Sequence, residues 1–473
     1  MKKILTLLCL SCFSAGLMAE DNSHITQILD LTRHPIGYAA LFLFFFAYIL
    51  AMFEEITALR KSKPMVLSAS LIWVFIAALY TDEHREALSE QAFRSSLLGF
   101  VELFLFLMVS MTYLNAMEDR GVFDKLKTWL LHKRMSYRKI FWLTGILAFI
   151  LSSVCNNMTT ALLMGSVIMS VGRENRRFVG LACVNVVVAT NAGGSFSPFG
   201  DITTLLVWQK DVVPFMAFFS LLIPSIVNFV VPAMIMHFFI PRGKPTASHE
   251  DNPLKRGAVS VIILFMFTII TAITFENVLS LPPAGGMLMG LTYLKFLSFY
   301  LQKTGDTAMA KSEAAEPDEN APVSRNKPFD VFEQVSALEW DTMLFFYGVM
   351  VSVGGLSFIG YLHVASDYLY TDLDPTIANV LVGIISAFID NGTIMYAVLT
   401  MNPAISQGQW LLVTLTAGVG GSLLAIGSAA GVGLLGQTKG IYTFGSHIKW
   451  MPVIALGYAA SIATHFIVNG NRF

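Results

Sequence analysis

Twelve apolar blocks joined by short polar connections organise this chain, near residues 36–53, 65–81, 97–116, 140–171, 178–209, 212–240, 257–276, 284–302, 340–360, 376–402, 410–438 and 448–468. Most are close to the ~20 residues that a helix needs to cross a hydrocarbon core. A backbone in hydrocarbon has to satisfy its own hydrogen bonds, so such blocks fold as helices. Charge is correspondingly scarce, at 13% of 473 residues, against roughly 25% in soluble domains. That is too little to solvate two or three soluble domains, which excludes a soluble enzyme, a nucleic-acid binder and a disordered scaffold. The formal net charge of −1 gives no bulk attraction for a polyanion. Cys9, Cys12, Cys155 and Cys183 all lie in apolar stretches and suggest neither a disulfide framework nor a zinc site. The reading is an all-α polytopic membrane protein.

Residues 1–19 follow the plan of a secretory signal: Lys2 and Lys3, an apolar run from Ile4 to Leu17, and small residues at Ala15, Gly16 and Ala19. The alternative is an uncleaved first helix. Either places Glu20 to His34 outside, and a bacterial inner membrane fits best. The Met117–Lys139 connection carries seven Lys and Arg, and the next carries Arg173, Arg176 and Arg177. Both therefore belong in the cytoplasm, so block 140–171 must enter and leave on that side as an inward-opening re-entrant hairpin. Block 376–402 is its mirror. Tyr361–Pro375 has three aspartates and no basic residue, and Asn402–Gln409 has no charge, so this hairpin opens outward. Ten spans remain, and 23 of the 31 Lys and Arg fall in the resulting cytoplasmic loops with five outside. Residues 302–328, rich in Ala, Glu, Asp, Pro and Ser, read as a flexible cytoplasmic linker between an N-terminal half (20–301) and a C-terminal half (329–473).

The two halves repeat one another. Ser152, Asn156, Asn157 and Thr159 align with Ser386, Asp390, Asn391 and Thr393 at an offset of 234. Gly193-Gly194-Ser195 through Gly200-Asp201 aligns with Gly420-Gly421-Ser422 through Gly427-Ser428 at an offset of 227. Glycines in spans ordinarily serve close helix packing. Here they interrupt long apolar blocks beside ionisable or hydroxyl residues, which predicts broken helices over 178–209 and 410–438. Hairpins opening to opposite sides make the repeats inverted, a design of secondary transporters with the site at the midplane.

Asp201 and Asp390 are the carboxylates nearest that midplane, and no Lys or Arg lies within either hairpin or either broken block. Intramembrane carboxylates ordinarily face a cavity and function there. Asn156, Asn157, Thr159, Asn191, Thr203, Thr204, Asn391, Thr393 and Ser428 add hard oxygen donors, which suit alkali or alkaline-earth ions. A proton and a cation compete for one carboxylate, and competition for a shared site is exchange. Two carboxylates allow more than one proton per cation. Glu102 is a weaker candidate, for a proton path. Glu54, Glu55, His84, His363, His447 and His465 read as interfacial, and Trp208, Trp340, Trp410 and Trp450 as aromatic-belt anchors.

Paired hairpins with Ser/Asn/Thr tips, each followed by a Gly-Gly broken helix, resemble the ion transporter superfamily. The run Asn191-Ala-Gly-Gly-Ser-Phe-Ser-Pro-Phe-Gly-Asp201-Ile-Thr203-Thr204 and the stretch Glu339–Gly348 are similar to the NhaD-type Na⁺/H⁺ antiporters. The resemblance implies Na⁺, and often Li⁺, moved out against H⁺, a homodimer, and Asp201, Thr203, Thr204, Asn191, Asn157, Asn391 and Ser428 as functional positions. No cofactor is implied. Dicarboxylate carriers of the superfamily have Ser-Asn-Thr at both tips, where this chain has Asn156-Asn157-Met158 and Asp390-Asn391-Gly392. A Na⁺-coupled carboxylate symporter is the alternative within transport. An intramembrane metallohydrolase would need a His-Glu-x-x-His motif, which the sequence lacks.

Overall fold

A computed structural model describes residues 28–132, 135–172, 175–244, 254–313 and 329–473. The signal or first helix read at 1–19 lies outside them. The described residues are helical, without strands, and include eight helices long and apolar enough to cross a membrane.

Chain contacts divide into two compact units. One runs to Leu98 and takes in Leu344–Val364; the other comprises Gly99–Met343 and Ala365–Phe473. Compact packing thus does not follow the two sequence halves, since both repeats lie in the second unit. In the first unit, α1 (Pro35–Met52) and α2 (Ser62–Asp82) close a core of Ala40, Ala69, Ile72, Trp73, Ile76, Tyr80 and Val351. The Trp73 indole donates to the Val351 carbonyl at 2.8 Å. Helix α3 (Glu86–Asp119), 34 residues long, contains the boundary at Leu98 and Gly99. Helix α4 (Val122–His132) follows inside the basic 117–139 connection.

The second unit holds the repeats. The first hairpin is α5 (Tyr137–Ser152) and α6 (Asn157–Gly172); the second is α13 (Pro375–Ile385) and α14 (Asn391–Met401). The first broken helix is α7 (Arg176–Gly194) and α8 (Ile202–Gln209); the second is α15 (Gln407–Gly420) and α16 (Ala429–Gln437). Both interruptions fall where the glycine motifs place them. From Phe178 to Gly194 almost every residue of α7 is buried, and α15 is buried likewise from Trp410 to Gly420. These two half-helices form the centre of the unit. The unit's other long helices are α9 (Leu222–His237), α10 (Ala258–Asn277), α11 (Pro283–Glu313) and α17 (Met451–Asn469), whereas α12 (Trp340–Phe358) belongs mostly to the first unit.

Packing repeats as the sequence does. Helix α5 lies on α7, and α13 on α15. A Cβ on Gly193 would overlap the Phe149 carbonyl, and one on Gly420 the Gly383 carbonyl, so only glycine admits these backbone approaches. The second hairpin helices cross over, α6 packing on α16 and α14 on α8. Each repeat therefore packs the second helix of its hairpin on the broken helix of the other.

Three expectations are corrected. Residues 302–313 continue α11 as helix, so only 314–328 of the segment read as linker stay outside the described residues. His447 and His465 are fully buried, because each ring nitrogen finds a protein partner there. Trp208 and Trp410 are buried at 0% and 5% exposure. Trp208 packs among Phe106, Phe199 and Phe215, whereas Trp340 at 44% exposure fits a belt position.

Candidate functional site

Asp201 is the N-cap of α8. Its extended backbone leaves Oδ1 to accept from the Ile202 amide at 2.7 Å. Oδ2 accepts from Thr203 Oγ1 at 3.1 Å and from Asn391 Nδ2 at 2.8 Å. Asn391 opens α14, and its own Oδ1 is held by the Gly392 amide at 2.9 Å. The carboxylate of the first broken helix is thus fastened to the tip of the second hairpin. Asp390 caps α14, accepting from the Thr393 amide at 3.4 Å, and is the chain neighbour of Asn391, which bonds Asp201.

Asn157 opens α6 on the other side of the break. Its amide nitrogen donates to the Thr190 carbonyl at 3.1 Å and the Gly200 carbonyl at 3.2 Å, and also bonds Ser152. A Cβ on Gly194 would meet both the Asn157 amide and Asp201 Cβ, so that glycine brings the hairpin tip and the carboxylate together. Asn156 precedes as a turn residue, its Oδ1 accepting from the Met158 amide at 2.7 Å.

A second cluster lies at the end of α7. Asn191 is fully buried and donates to the Val187 carbonyl at 2.9 Å and to Ser428 Oγ at 3.0 Å. Its Oδ1 meets no hydrogen-bond donor. Ser428 is the N-cap of α16, the repeat counterpart of Asp201. Thr393 Oγ1 is likewise buried with no partner. An unpartnered buried oxygen is costly, and a bound cation would satisfy it. Among the described residues no three His, Cys, Asp or Glu side chains form a metal cage. The donors on hand are one or two carboxylates, amides, hydroxyls and the carbonyls of the two breaks, an all-oxygen set that suits a hard cation.

Of the eleven positions read from the sequence, nine lie at these half-helix ends. Thr204 is buried but engaged with backbone: its hydroxyl lies 3.4, 2.8 and 2.8 Å from the Gly194, Ser197 and Asp201 carbonyls. Thr159 lines a separate cavity of about 540 Å³ with Asn115, Glu118, Asp124 and Gln437. Sequence reasoning passed over Ser152, which bonds Asn157, and Ser386, whose Oγ donates to the Ala417 carbonyl at 2.6 Å. Their alignment at the 234 offset was the available signal. It also passed over Ser195, whose hydroxyl donates to the Asn191 carbonyl at 2.7 Å.

A family model described as citrate transporter matches residues 48–418. The chain is similar to the Na⁺/H⁺ antiporter NhaD of Vibrio cholerae, with 51% identity over 474 residues and 99% of each chain covered. It is also 51% identical over 450 residues to the NhaD of Halomonas elongata, covering 94% of this chain and 91% of that one. The solved YdaH transporter of Alcanivorax borkumensis overlaps with a TM-score of 0.48 at 11% identity, covering 92% of this chain and 98% of that chain.

Proposed function

Because this chain belongs to the family of NhaD Na⁺/H⁺ antiporters, we propose that it exchanges Na⁺ for H⁺ by alternating access through one shared carboxylate, Asp201. It is a transporter and not an enzyme. The observation that carries this reading is the position of Asp201, capping one repeat's broken helix while bonded to the other repeat's hairpin tip. A charge change at that carboxylate is felt directly by two elements that belong to opposite repeats.

Protonated or Na⁺-bound, Asp201 is neutral in sum; emptied, it is a charge in a low-dielectric site. Passage between the two access states is cheapest with one ion or the other aboard, which is what couples their flows. Asn157, Thr203, Asn391, Asn191, Ser428, Asn156, Asp390 and Thr393 supply the other oxygens, with Thr204 shaping the break. Li⁺ would use the same donors. A homodimer in the bacterial inner membrane completes the proposal.

The family model carries the citrate description, but the site does not suit a polycarboxylate. Citrate would call for cationic side chains, and blocks 140–171, 178–209, 376–402 and 410–438 contain no Lys or Arg. Dequenching of an acridine dye in inverted vesicles tests the choice. Na⁺ should collapse an imposed ΔpH, and succinate or citrate should not. Collapse by citrate without a Na⁺ response would replace this reading with the symporter.

A further inference from the structure

The two breaks are held in different ways. In the first, Thr204 reaches the carbonyls of Gly194, Ser197 and Asp201, so the break is closed by a side chain of its own helix. The repeat counterpart of Thr204 is Gly431. A Cβ there would overlap the Ala425 carbonyl, so no side chain at 431 can take that role.

His447 reaches this break from elsewhere. It belongs to the short helix Phe444–Ile448, which follows α16 and is capped by a reciprocal Thr443–Ser446 pair. The ring is fully buried, with Nε2 2.9 Å from the Ser422 carbonyl and Nδ1 2.7 Å from the Tyr442 hydroxyl. A carbonyl only accepts, so Nε2 carries the proton, and Nδ1 of the neutral ring accepts from the tyrosine. Tyr442 is 1% exposed, and its main chain is pinned on both sides by Thr438 Oγ1. Between them the chain turns through Lys439 and Gly440, at φ +47° and +83°.

We propose that the Tyr442–His447 pair is a positioning device for the second half of the ion site: by holding the Ser422 carbonyl, His447 sets the Ser428 hydroxyl against Asn191. The connection runs through short contacts. A Cβ on Gly421 would lie 2.7 Å from the Gly427 carbonyl and 3.4 Å from Ser428 Cβ. The backbone at Gly421 therefore runs close against residues 427–428, and Ser428 Oγ is the acceptor for Asn191. The proposal rests on the antiport reading and adds a residue to its machinery that touches no ion.

The test uses full-length protein, with Na⁺ as the probe in two measurements: half-saturating Na⁺ for exchange in proteoliposomes, and protection by Na⁺ against thermal unfolding in detergent, which follows occupancy. His447→Ala should raise half-saturating Na⁺ by about 10- to 100-fold, the usual cost of losing a group that orients a ligand, while the maximal rate changes little. His447→Gln keeps an N–H for the Ser422 carbonyl and should restore most of the affinity. Tyr442→Phe keeps the ring packing but frees Nδ1, and should fall between. Unchanged Na⁺ affinity in His447→Ala, or a lost rate at unchanged affinity, overturns the proposal. If His447→Ala fails to accumulate, Tyr442→Phe decides, and wild-type affinity in that variant is equally fatal. Wild-type protein that neither exchanges nor is protected by Na⁺ would instead refute the antiport reading.

Discussion

Asn391 Nδ2 donates to Asp201 Oδ2 at 2.8 Å, across 190 residues of chain. The two are not counterparts, since Asp201 aligns with Ser428 and Asn391 with Asn157. The bond therefore joins a break from one repeat to a hairpin from the other, and it depends on the crossed packing of α14 on α8. Hydrogen bonds to a charged group contribute about 1.5–3 kcal/mol.

Removing either end should act on ion handling rather than insertion. Asp201→Asn is expected to abolish Na⁺-dependent proton flux while the protein still accumulates in the membrane. Asn391→Ala should raise half-saturating Na⁺ by about tenfold or more, in keeping with one lost charge-assisted bond. Dye dequenching in inverted vesicles over a Na⁺ series reads both. Full exchange by correctly inserted Asp201→Asn would remove that residue from the mechanism.

The glycine approaches make a paired prediction. Gly193→Ala and Gly420→Ala place a methyl on the Phe149 and Gly383 carbonyls respectively, and each should push a hairpin off its broken helix. Overpacking of this kind costs about 1–3 kcal/mol or more. Both variants should unfold several degrees earlier in detergent and lose most exchange. Gly436→Ala meets nothing within 4 Å and serves as the control, expected to match wild type.

Hairpin topology is open to labelling. Lys139 and Arg177, both exposed, flank the first hairpin, and cysteines there should react from the cytoplasm alone. Asp372 and Ala404, also exposed, flank the second, and cysteines there should react from outside alone. If the two sites of either pair label from opposite faces, that hairpin is a crossing helix and the inverted repeat is lost.

Voltage separates one titrating carboxylate from two. If Asp201 and Asp390 both cycle, two H⁺ enter for each Na⁺ expelled, and one net charge crosses. The driving force then changes by about 2.3 kcal/mol per 100 mV. Proton uptake driven by Na⁺ loaded inside proteoliposomes, with the potential clamped by K⁺ and valinomycin, would then quicken at interior-negative potential, whereas exchange through Asp201 alone would not respond. Asp390→Asn should make it insensitive to voltage. A rate and endpoint already unchanged in the wild type would leave Asp201 as the sole exchanging group.

The architecture was legible because its causes are local. Block length and the Gly-Gly interruptions are visible within a single block, the Ser/Asn/Thr order repeats along the chain, and α7–α8 and α15–α16 break where those signals lie. Partnership was not legible. Hydropathy shows that Trp208, Trp410 and His447 are near block ends, but not that neighbouring helices cover them. Nor could Thr204 be told from Thr203. They are adjacent hydroxyls on one turn, yet one faces the carboxylate and the other the carbonyls of its own break. The crossed hairpins decide such cases, and crossing is a property of the folded unit alone.

A carboxylate offers about four lone-pair directions, and at Asp201 three donors already occupy it: Ile202, Thr203 and Asn391. An arriving Na⁺ can claim only what those donors leave, and must complete its shell from neutral oxygens. Those same donors fix the direction of the carboxylate, so the ion meets an acceptor already aimed, and loss of one donor lets it swing. A carboxylate shared with its own scaffold is an oriented ligand before any ion arrives.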